Sequence, residues 1–417
     1  MDHDGWEDLY RDVQGPAPAP VVTGFNANID QIIPVTAPLL SSLDTETGHG
    51  FAILRDRLLH SMRYCTADEL FIGCREGFCR FLEFFSGTGS QALGGQAVIA
   101  AIQMRRIGMS PVTCAVPAAG PQTRQMLRKA GIRPASFGHV RAEHPDIVHL
   151  ILEHRPGLVP PAEGVIPRSN RFIVSPIHDP STAFVPEESE GDFLEQVAAC
   201  SRAFLSGYQY LRTERDFSAA ALQLRRIRTV HSRMRTHVEC VSGLQPEVLT
   251  LMLRHILPET DSIGLNEQEL GMYTRVMGGP ERPPAADLPA FSVSLVNEAV
   301  ALARATGAAR VHVHTFGYYF AVLDPDAARP EQSRDALIFA AREAAAAAGG
   351  GEAVLSPEGL RAYDGIRTVF RPGEIPGVFR ASERIVVVVP TRIAQHVQRT
   401  VGLGDILSST AFVADPF

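Results

Sequence analysis

Short apolar runs alternate with longer helical stretches from about residue 176 to the end of the chain. Runs such as "THVECVSG" and "VHVHTFGYYF" are typical of buried strands, whereas "ALQLRRIRTVHSRM" and "RDALIFAAREAAAAAGG" are typical of helices. Strands that alternate with helices of ten or more residues build a mainly parallel sheet that is covered by helices on both faces. The pattern therefore predicts an α/β fold.

The first half of the chain shows a different pattern. Residues 35–92 mix helical segments with turns, and residues 139–175 are rich in strands. The segment "GFNANIDQII" precedes residue 35 and contains polar residues with a period of two, namely Asn26, Asn28 and Asp30. On an extended strand, this period would place all three on one face. Polar groups between apolar neighbours are costly to bury without partners, so this face is predicted to be a polar binding edge. Capping and turn residues at a strand end are the alternative.

Composition excludes several classes of function. The 417 residues, 45% of them apolar, suffice for two or more domains or for one large domain with an insertion. The net charge of -7 is spread over interspersed acids and bases, so we expect neither a nucleic-acid partner nor a membrane partner. The acidic N-terminus lacks a secretory signal, and no apolar run approaches the roughly 20 residues of a membrane span, so a cytoplasmic protein is expected.

Cysteine and lysine usage narrow the chemistry further. The six cysteines are scattered, and Cys74 and Cys79 have no second pair that would complete a zinc site, so all six are predicted to be reduced thiols. Lys129 is the only lysine and no glycine precedes it, which excludes a Walker-type phosphate loop. Any bound phosphate must therefore be held by arginine, backbone amides or a metal ion.

The segment "TVGLGDILSST" near the C-terminus carries the clearest chemical signal. Gly402 and Gly404 precede Asp405 at the point where an apolar helical stretch begins. Backbone amides at a helix N-terminus can stabilise a transferring phosphoryl group, while the aspartate accepts a proton from an attacking hydroxyl. For this motif taken alone, an ordinary N-cap aspartate is the alternative.

Three further motifs accompany it. "LGGQA" is typical of a tight turn that opens a helix. "GLNEQEL" places Asn266 and Glu269 three residues apart, on one side of a helical turn, where both can offer oxygen to a metal ion or its waters. A helix start with an acidic first turn is the alternative. In "VHVHTFGYYF", two histidines without a third ligand are more typical of strand packing than of a metal site.

Taken together, the motifs indicate a family. The chain resembles the ADP-dependent sugar kinases of the ribokinase-like superfamily, and their glucokinase branch more than their phosphofructokinase branch. Each motif is weak alone, but the ordered set is specific. The matching motifs, in the family's order, are "WEDLY", "GFNANID", "ADELF", "LGGQA", "VHLILE", "PRSNRFI", "LSGYQ", "THVE", "GLNEQEL", "VHVHTFGYY", "RDALIFAA", "VPTRI" and "VGLGDILSS".

The resemblance implies a large ribokinase-like α/β domain and a smaller lid domain that contains a sheet and closes over the sugar. The large domain is expected to comprise residues 1–33, 93–135 and 176–417, and the lid residues 34–92 and 136–175. The implied reaction is Mg²⁺-dependent transfer of the β-phosphate of ADP to O6 of D-glucose, which gives glucose 6-phosphate and AMP. An ADP-dependent 6-phosphofructokinase, or a kinase for glucosamine, a nucleoside or another sugar, is the alternative.

The resemblance also assigns roles to particular residues. Asp405 would be the general base and a metal ligand, and Gly402 and Gly404 would form the anion hole. Arg171 of "NRFI" would contact the nucleotide phosphates, a task that suits the planar guanidinium. The other implied contacts are sugar ligands at Asn28, Asp30, Glu69, Gly95, Gln96 and His149, nucleotide or Mg²⁺ ligands at Asn266 and Glu269, and nucleotide contacts at Tyr318 and Val401.

Glu69 carries the glucose assignment. By resemblance, this acid belongs to glucokinases, and a carboxylate repels a phosphorylated sugar but accepts hydrogen bonds from a neutral one. A surface acid on a helix is the alternative. Ile406 stands where the family often has a small hydroxyl residue, and "AQHVQR" lacks the lysine and proline often found before the glycine turn. The preference for ADP over ATP therefore depends on the resemblance.

Two further expectations concern the partners and the assembly of the chain. The expected partners are a small sugar and a nucleotide, and the expected assembly is a monomer or a weak homo-oligomer. A catalytically silent sugar or nucleotide sensor is disfavoured, because Asp405, Asn266, Glu269 and Arg171 are all present.

Overall fold

The computed structural model describes residues 3–64, 68–135, 145–155, 157, 170–178, 182–349, 352–397 and 402–417. Its strands, in chain order, are β1 Val21–Gly24, β2 Asn28–Pro34, β3 Asp68–Ile72, β4 Ser90–Gly94, β5 Val112–Ala115, β6 Arg133–Pro134, β7 Val148–His154, β8 Asn170–Pro176, β9 Arg202–Leu205, β10 Arg235–Glu239, β11 Ser262–Asn266, β12 Arg310–His314, β13 Tyr318–Leu323, β14 Ala353–Leu355, β15 Arg371–Pro372, β16 Val378–Ala381, β17 Arg384–Pro390 and β18 Arg392–Ala394.

Helices fill most of the connections between these strands. They are α1 His3–Asp12, α2 Ala37–Thr45, α3 His49–Tyr64, α4 Arg75–Phe84, α5 Gln96–Arg106, α6 Pro121–Lys129, α7 Glu187–Val197, α8 Glu214–Arg228, α9 Pro246–Leu251, α10 Glu267–Val276, α11 Leu288–Thr306, α12 Pro330–Gly349, α13 Pro357–Val369 and α14 Leu403–Ala414. Single turns of 3-10 or π-helix lie at Tyr208–Tyr210, Met252–Ile256 and Leu257–Glu259.

Eleven of the described strands form one large sheet, in the order β15-β16-β17-β13-β12-β11-β10-β9-β1-β5-β6. All neighbours from β12 to β6 are parallel, whereas β13, β17, β16 and β15 extend one edge with antiparallel pairs. Parallel neighbours need long crossover connections, which the helices supply. The predicted α/β class with a mainly parallel sheet is confirmed.

Helices cover the large sheet in packed sets. Helix α14 packs against both α5 and α12, and α11 packs against α10 and α13. Residues 386–389 of β17 are valines that are completely buried, which is typical of a strand covered on both faces. Helix α14 carries "GLGD" at its start, so its packing against α5 and α12 fixes the position of that turn.

A second sheet has five strands in the order β3-β8-β7-β2-β4. Leu70, Leu152 and Phe172 on one face join a hydrophobic core with residues of α2, α3 and α4. Because successive side chains of a strand point to opposite faces, the residues between these positions lie on the other face, away from the helices. This sheet corresponds to the sheet that the resemblance implies for the lid.

The predicted domain boundaries cut through strands of the small sheet. The boundary after residue 33 falls inside β2, although every residue of β2 with a strand partner pairs within the small sheet. The boundaries after residues 92 and 175 fall inside β4 and β8. An apolar strand has the same local pattern in either sheet, so periodicity does not locate the crossing. The division into a large domain and a lid stays a prediction.

Two simpler expectations concern the whole chain. Five cysteines, at 74, 79, 114, 200 and 240, are free thiols, as predicted, and Cys65 lies outside the described residues. No helix in the described part of the chain is both long enough and apolar enough to span a bilayer.

Candidate active site

The chain crosses from the large sheet to the small sheet between β1 and β2. Asn26 lies in this crossing, where its side-chain oxygen accepts hydrogen bonds from Ala97 N at 3.2 Å and from Ser206 Oγ at 2.7 Å. The prediction that Asn26 shares a strand face with Asn28 and Asp30 is wrong, because the strand begins only at Asn28. Asn26 instead ties the crossing to the start of α5.

The face of the small sheet that lies away from α2, α3 and α4, here called the sugar face, carries several predicted sugar ligands. Asp30 of β2 is the register partner of His149 in β7, and Glu69 of β3 is the partner of Ile173 in β8. These residues alternate with the core residues of their strands and so lie on the face away from α2, α3 and α4. Arg171 of β8 lies on the same face. The structure thus brings Asp30, Glu69, His149 and Arg171 to one surface.

Asn28 and Asp30 form a buried pair at the start of β2. Asn28 Nδ2 donates a hydrogen bond of 2.5 Å to Asp30 Oδ1. Gly94, the register partner of Asn28, makes room for both side chains, since a Cβ at this position would overlap the Asp30 carboxylate and lie 2.5 Å from Asn28 Nδ2. Sequence reasoning did not assign a role to Gly94, and the Gly94–Gly95 pair was the signal that could have indicated one.

Glu69 lies on β3 and not on a surface helix, which was the alternative for this acid. Ser175 Oγ donates a hydrogen bond of 2.6 Å to Glu69 Oε1. Burial raises the pKa of Glu69, and the Ser175 hydrogen bond and the charge of Arg171 oppose this shift. Ser175 therefore holds the Glu69 carboxylate in one orientation on the sugar face.

His149 is buried and contacts a second histidine that sequence reasoning missed. His149 Nε2 lies 2.9 Å from His178 Nε2, and the His178 ring stacks on Tyr210 with ring centroids 3.9 Å apart. Burial lowers the pKa of His149 to about 3 and that of His178 to about 4, so both rings are neutral near pH 7. Neither His178 nor Tyr210 lies in a strand of the small sheet, so strand periodicity gives no sign of them.

Asp405 lies in the first turn of α14, as the sequence predicts. Gly402, with a φ of 73°, is the N-cap residue, so the ordinary N-cap aspartate is excluded as an explanation for Asp405. Gly404 lies against His314, because a Cβ at Gly404 would come within 3.0 Å of His314 Nε2. The first amides of a helix have no partner within the helix and carry a partial positive charge, which suits the predicted anion hole.

Arg171 lies within electrostatic range of both the sugar face and α14. Burial lowers the pKa of Arg171, and the charges of Asp405, Asp30, Glu153 and Glu69 oppose this shift, in that order of size. Its Nε is buried and has no hydrogen-bond partner in the described part of the chain. One guanidinium thus lies within electrostatic range of both Asp405 and the acids of the sugar face.

A further buried acid lies beneath α14. Glu239 Oε2 accepts a hydrogen bond of 2.5 Å from Ser408 Oγ and lies 2.9 Å from His237 Nε2. Burial raises the pKa of Glu239 well above its usual range, and the charge of Asp405 adds to the shift. A Cβ at Gly264 would overlap this carboxylate. The sequence showed Glu239 within "THVE" but gave no reason to assign it a role, since its proximity to Asp405 depends on tertiary packing.

Asn266 and Glu269 form a capping box at the start of α10. Glu269 N donates to Asn266 Oδ1 at 2.9 Å, and Asn266 N donates to Glu269 Oε2 at 2.8 Å. Ser242 Oγ donates to Glu269 Oε1 at 3.0 Å. Burial raises the pKa of Glu269 to about 8, and Asp405 contributes to the shift. The motif is therefore a helix start, as the alternative stated, and its acid also lies within electrostatic range of Asp405.

The acids around α14 fit a cation that keeps its water ligands. Burial raises the pKa values of Glu239 and Glu269, and the charge of Asp405 adds to both shifts, so a bound divalent cation would favour the ionised forms of these acids. Both oxygens of Glu269 already accept hydrogen bonds. Within the described ranges, no group of three or more His, Cys, Asp or Glu could hold a metal directly. This donor set suits Mg²⁺, which usually retains several waters.

Comparison with known proteins decides the family. Residues 19–414 match a family model described as the ADP-specific phosphofructokinase/glucokinase conserved region. The chain belongs to the ADP-dependent sugar kinases. It is therefore a phosphotransferase with ADP as phosphoryl donor and a sugar as acceptor, and the family resemblance inferred from the motifs is confirmed.

Relatives of this kinase carry two different acceptor names. The ADP-dependent glucose/glucosamine kinase of Pyrococcus furiosus is 28% identical over 98% of each chain. The ADP-specific phosphofructokinase of Methanosarcina acetivorans is 25% identical over 99% of this kinase and 98% of that protein. A solved ADP-dependent kinase in complex with fructose 6-phosphate and ADPβS shares the fold, with a TM-score of 0.80 and 24% identity over 99% of this kinase and 96% of that chain.

Gly95 and Gln96 open α5 beside the crossing between the sheets. Gly95 has a φ of 89°, and a Cβ there would lie 2.8 Å from Asn26 O, so the position requires glycine. Gln96 Nε2 donates to Cys240 O at 3.3 Å, while its Oε1 is buried without a partner among the described residues. An unpaired buried acceptor is costly, and a sugar hydroxyl would satisfy it.

The predicted nucleotide contacts of this kinase are less complete. Val401 lies outside the described residues. Tyr318 is only 1% exposed and its ring packs on Phe320, so it offers no open face to a base in this conformation. The adenine contact of Tyr318 stays a prediction. Phe316, two residues earlier, is 70% exposed.

Proposed function

We propose that this kinase transfers the β-phosphoryl group of ADP to O6 of glucose, giving glucose 6-phosphate and AMP. The position of Glu69 carries the choice of acceptor. Its carboxylate is held by Ser175 on the same sheet face as Asp30 and His149. This face presents carboxylates and a neutral imidazole to the acceptor.

The charge of this face favours an uncharged sugar. Carboxylates accept hydrogen bonds from hydroxyl groups but repel a phosphate. His149 adds no positive charge, because burial lowers its pKa to about 3. Arg171 is the one basic side chain on this face in the described strands, and Asp405, Asp30, Glu153 and Glu69 all lie within its electrostatic range.

The proposed reaction uses groups from both sheets. Asp30, Glu69 and His149 bind and orient the sugar, and Asp405 accepts the proton of O6 as this oxygen attacks the β-phosphorus. A bond forms between O6 and the β-phosphorus, and the bond to the bridging oxygen of AMP breaks. The first amides of α14 stabilise charge on the transferring group, and Arg171 binds phosphate oxygens.

Mg²⁺ is part of the proposal. Glu269, Glu239 and Asp405 would hold it, largely through water, and when bound it neutralises phosphate charge. The capping box around Asn266 keeps the Glu269 side chain in place with or without the ion.

Fructose 6-phosphate is the second candidate acceptor. Relatives named as ADP-specific phosphofructokinases align with nearly the whole chain, and a structural neighbour binds fructose 6-phosphate. Arg171 supplies one guanidinium that could meet its phosphate. Glucosamine is compatible with the acidic face, and one relative is named as a glucose/glucosamine kinase.

A direct assay tests the proposal. The purified protein is incubated with Mg²⁺, with ADP or ATP as donor, and with glucose, glucosamine or fructose 6-phosphate as acceptor. AMP and the phosphorylated sugar are then quantified. We expect ADP with glucose to give a kcat/KM at least about tenfold above ADP with fructose 6-phosphate. A preference for fructose 6-phosphate would overturn the glucose assignment and leave the kinase assignment intact.

Replacing Glu69 tests the residue that carries the acceptor. Glu69→Ala removes the carboxylate that Ser175 orients, so the KM for glucose should rise about tenfold or more with ADP binding unchanged. Glu76→Ala, at an exposed acid of α4, is the matched control and should leave both KM values unchanged. An unchanged KM for glucose in Glu69→Ala would contradict the proposed contact.

A further inference from the structure

His178 joins the sugar face of the small sheet to the large sheet. It lies just beyond Pro176, where β8 ends, and its Nε2 is 2.9 Å from Nε2 of His149 in β7. Its ring stacks on Tyr210, which follows β9 of the large sheet, with an interplanar angle of 2°. His149, His178 and Tyr210 are all buried, at 8%, 5% and 9% exposure. His178 is thus hydrogen-bonded to His149 in the small sheet and stacked on Tyr210, which follows a strand of the large sheet.

A hydrogen bond between two neutral imidazoles constrains both tautomers. One Nε2 must carry the proton and the other must be bare, so the two rings are opposite tautomers. Burial keeps both rings neutral near pH 7, because it lowers the pKa values of His149 and His178. The contact therefore uses Nε2 of His149 and leaves Nδ1 as the ring nitrogen that can meet a ligand.

Tyr210 restricts the position of the His178 ring. The stacked geometry restricts tilting of the His178 plane, and Tyr210 is close enough to the Asn26 side chain, in the crossing between the sheets, for Asn26 to lower the pKa that burial raises. Asn26 in turn is bonded to Ala97 and Ser206. The orientation of His149 thus depends, through His178, on Tyr210, which follows β9 of the large sheet. Helix α14, with the groups proposed for phosphoryl transfer, packs on the same sheet.

We propose that His178 is a positioning residue for the sugar: it fixes the orientation of the His149 ring and holds that ring in the tautomer opposite to its own, so that His149 Nδ1 meets one sugar hydroxyl. The proposal rests on the proposed role of His149 as a sugar ligand. His178 itself touches neither sugar nor nucleotide in this scheme. It acts through His149 and ties the sugar face to the large sheet through Tyr210.

The first test reads the tautomer without changing the protein. Ring-labelled histidine is incorporated into the full chain, and the ¹⁵N shifts of the two rings are assigned by their loss in His149→Phe and in His178→Phe. We expect the two rings to be opposite tautomers between pH 6 and 8, so that His149 Nε2 is protonated to the extent that His178 Nε2 is bare. The same tautomer in both rings would overturn the proposal, because two such rings cannot share this hydrogen bond.

The second test separates positioning from packing. His178→Phe keeps a ring that can stack on Tyr210 but removes the nitrogen that meets His149. We expect the KM for glucose to rise about five- to thirtyfold, with the KM for ADP changed less than about twofold and the thermal midpoint retained. The His149 shifts should change, because His149 Nε2 loses the nitrogen with which it shares a proton. His178→Gln, which keeps a hydrogen-bonding side chain, should recover part of the loss.

A matched control removes a histidine hydrogen bond elsewhere. His231 Nε2 lies 2.5 Å from Cys200 O, just before the start of β9, whereas Tyr210 lies beyond the other end of this strand. His231→Phe should leave the KM for glucose and the His149 shifts unchanged. An equal rise in KM in both variants would indicate general destabilisation and would contradict the positioning role.

The double variant distinguishes this inference from the proposed function. If His149→Phe does not change the KM for any sugar that the enzyme phosphorylates, the proposed role of His149 fails. If His149→Phe raises the KM but His178→Phe does not, only the positioning role fails. If both hold, His149→Phe combined with His178→Phe should be no worse than His149→Phe alone, because His178 acts through His149.

Discussion

Asp405 differs from the two acids beneath it in its exposure. Glu239 and Glu269 are buried at 4% and 6% exposure, and burial raises the pKa of each, whereas Asp405 is partly exposed at the start of α14. A general base must reach the proton that it accepts. Of the three acids, Asp405 is the one that an acceptor hydroxyl can approach, whereas the raised pKa values of Glu239 and Glu269 favour their protonated forms.

Removing the charge of Asp405 tests this assignment. In Asp405→Asn the amide cannot accept the O6 proton, so kcat should fall about 10²–10⁴-fold while sugar affinity, measured by calorimetry, stays nearly unchanged. Asp364→Asn, at an exposed position of α13, should keep full turnover. Retained turnover in Asp405→Asn would exclude this residue as the base.

Strand β2 shows how one element can build half of a binding site. Asn28 and Asp30 lie on one face, and Gly94 of the neighbouring strand β4 leaves the space that their side chains occupy. The pairing of β2 with β4 therefore matters as much as the polar residues themselves. Sequence periodicity predicts the shared face but does not identify the strand that lies opposite.

Filling this space should damage the sugar site. In Gly94→Ala the new methyl group overlaps the Asp30 carboxylate, so we expect the KM for glucose to rise and stability to fall by about 1–3 kcal/mol. Gly191→Ala, inside α7 with no atom within 4 Å of the added Cβ, is the matched control. It should leave activity unchanged and stability equal or higher by up to about 1 kcal/mol. Chemical denaturation and steady-state kinetics measure both effects, and an unaffected Gly94→Ala would contradict the geometry.

The capping box at α10 shows why a motif alone does not decide a role. Asn266 and Glu269 are spaced for reciprocal capping, and the structure shows the bonds that complete it. The same spacing suits two oxygens that serve a metal ion and its waters. Only the tertiary structure adds that Glu269 lies within electrostatic range of Asp405.

The core of the whole molecule contains several neutral histidines. Burial lowers the pKa values of five of them: His237, His312 and His314 in strands of the large sheet, His149 in β7 of the small sheet, and His178 just beyond β8. His312 is completely buried on β12, in agreement with the prediction that the His-x-His pair packs within a strand. In the unfolded chain such histidines take up protons near pH 6.5, so acid favours unfolding.

One histidine isolates this effect from the other titrating groups. Because the pKa of His312 is lowered in the folded state, the unfolded state binds more protons below about pH 6, and the free energy of unfolding falls as pH falls. His312→Leu removes this contribution. Its stability relative to the unmodified chain should therefore increase from pH 7 to pH 5, by up to ~1.4 kcal/mol per pH unit.

Urea denaturation at pH 7, 6 and 5 measures the difference. His60→Leu, at an exposed position of α3, is the control and should show no such gain with acid. A constant difference between His312→Leu and the unmodified chain across this range would show that His312 takes up its proton in the folded state too.

The sequence by itself determined the α/β class, the mainly parallel sheet, the position of Asp405 in the first turn of a helix and, through ordered motifs, the kinase family. These features depend on local periodicity and on short segments whose residues are neighbours in the chain. The tertiary structure decided that β2 and β4 join the small sheet and that Asn26 does not lie on the sugar face. It also placed five further residues next to the predicted ones: Gly94, Ser175, His178, Tyr210 and Glu239. Contacts between residues far apart in the chain depend on how the elements pack, and no local pattern records them.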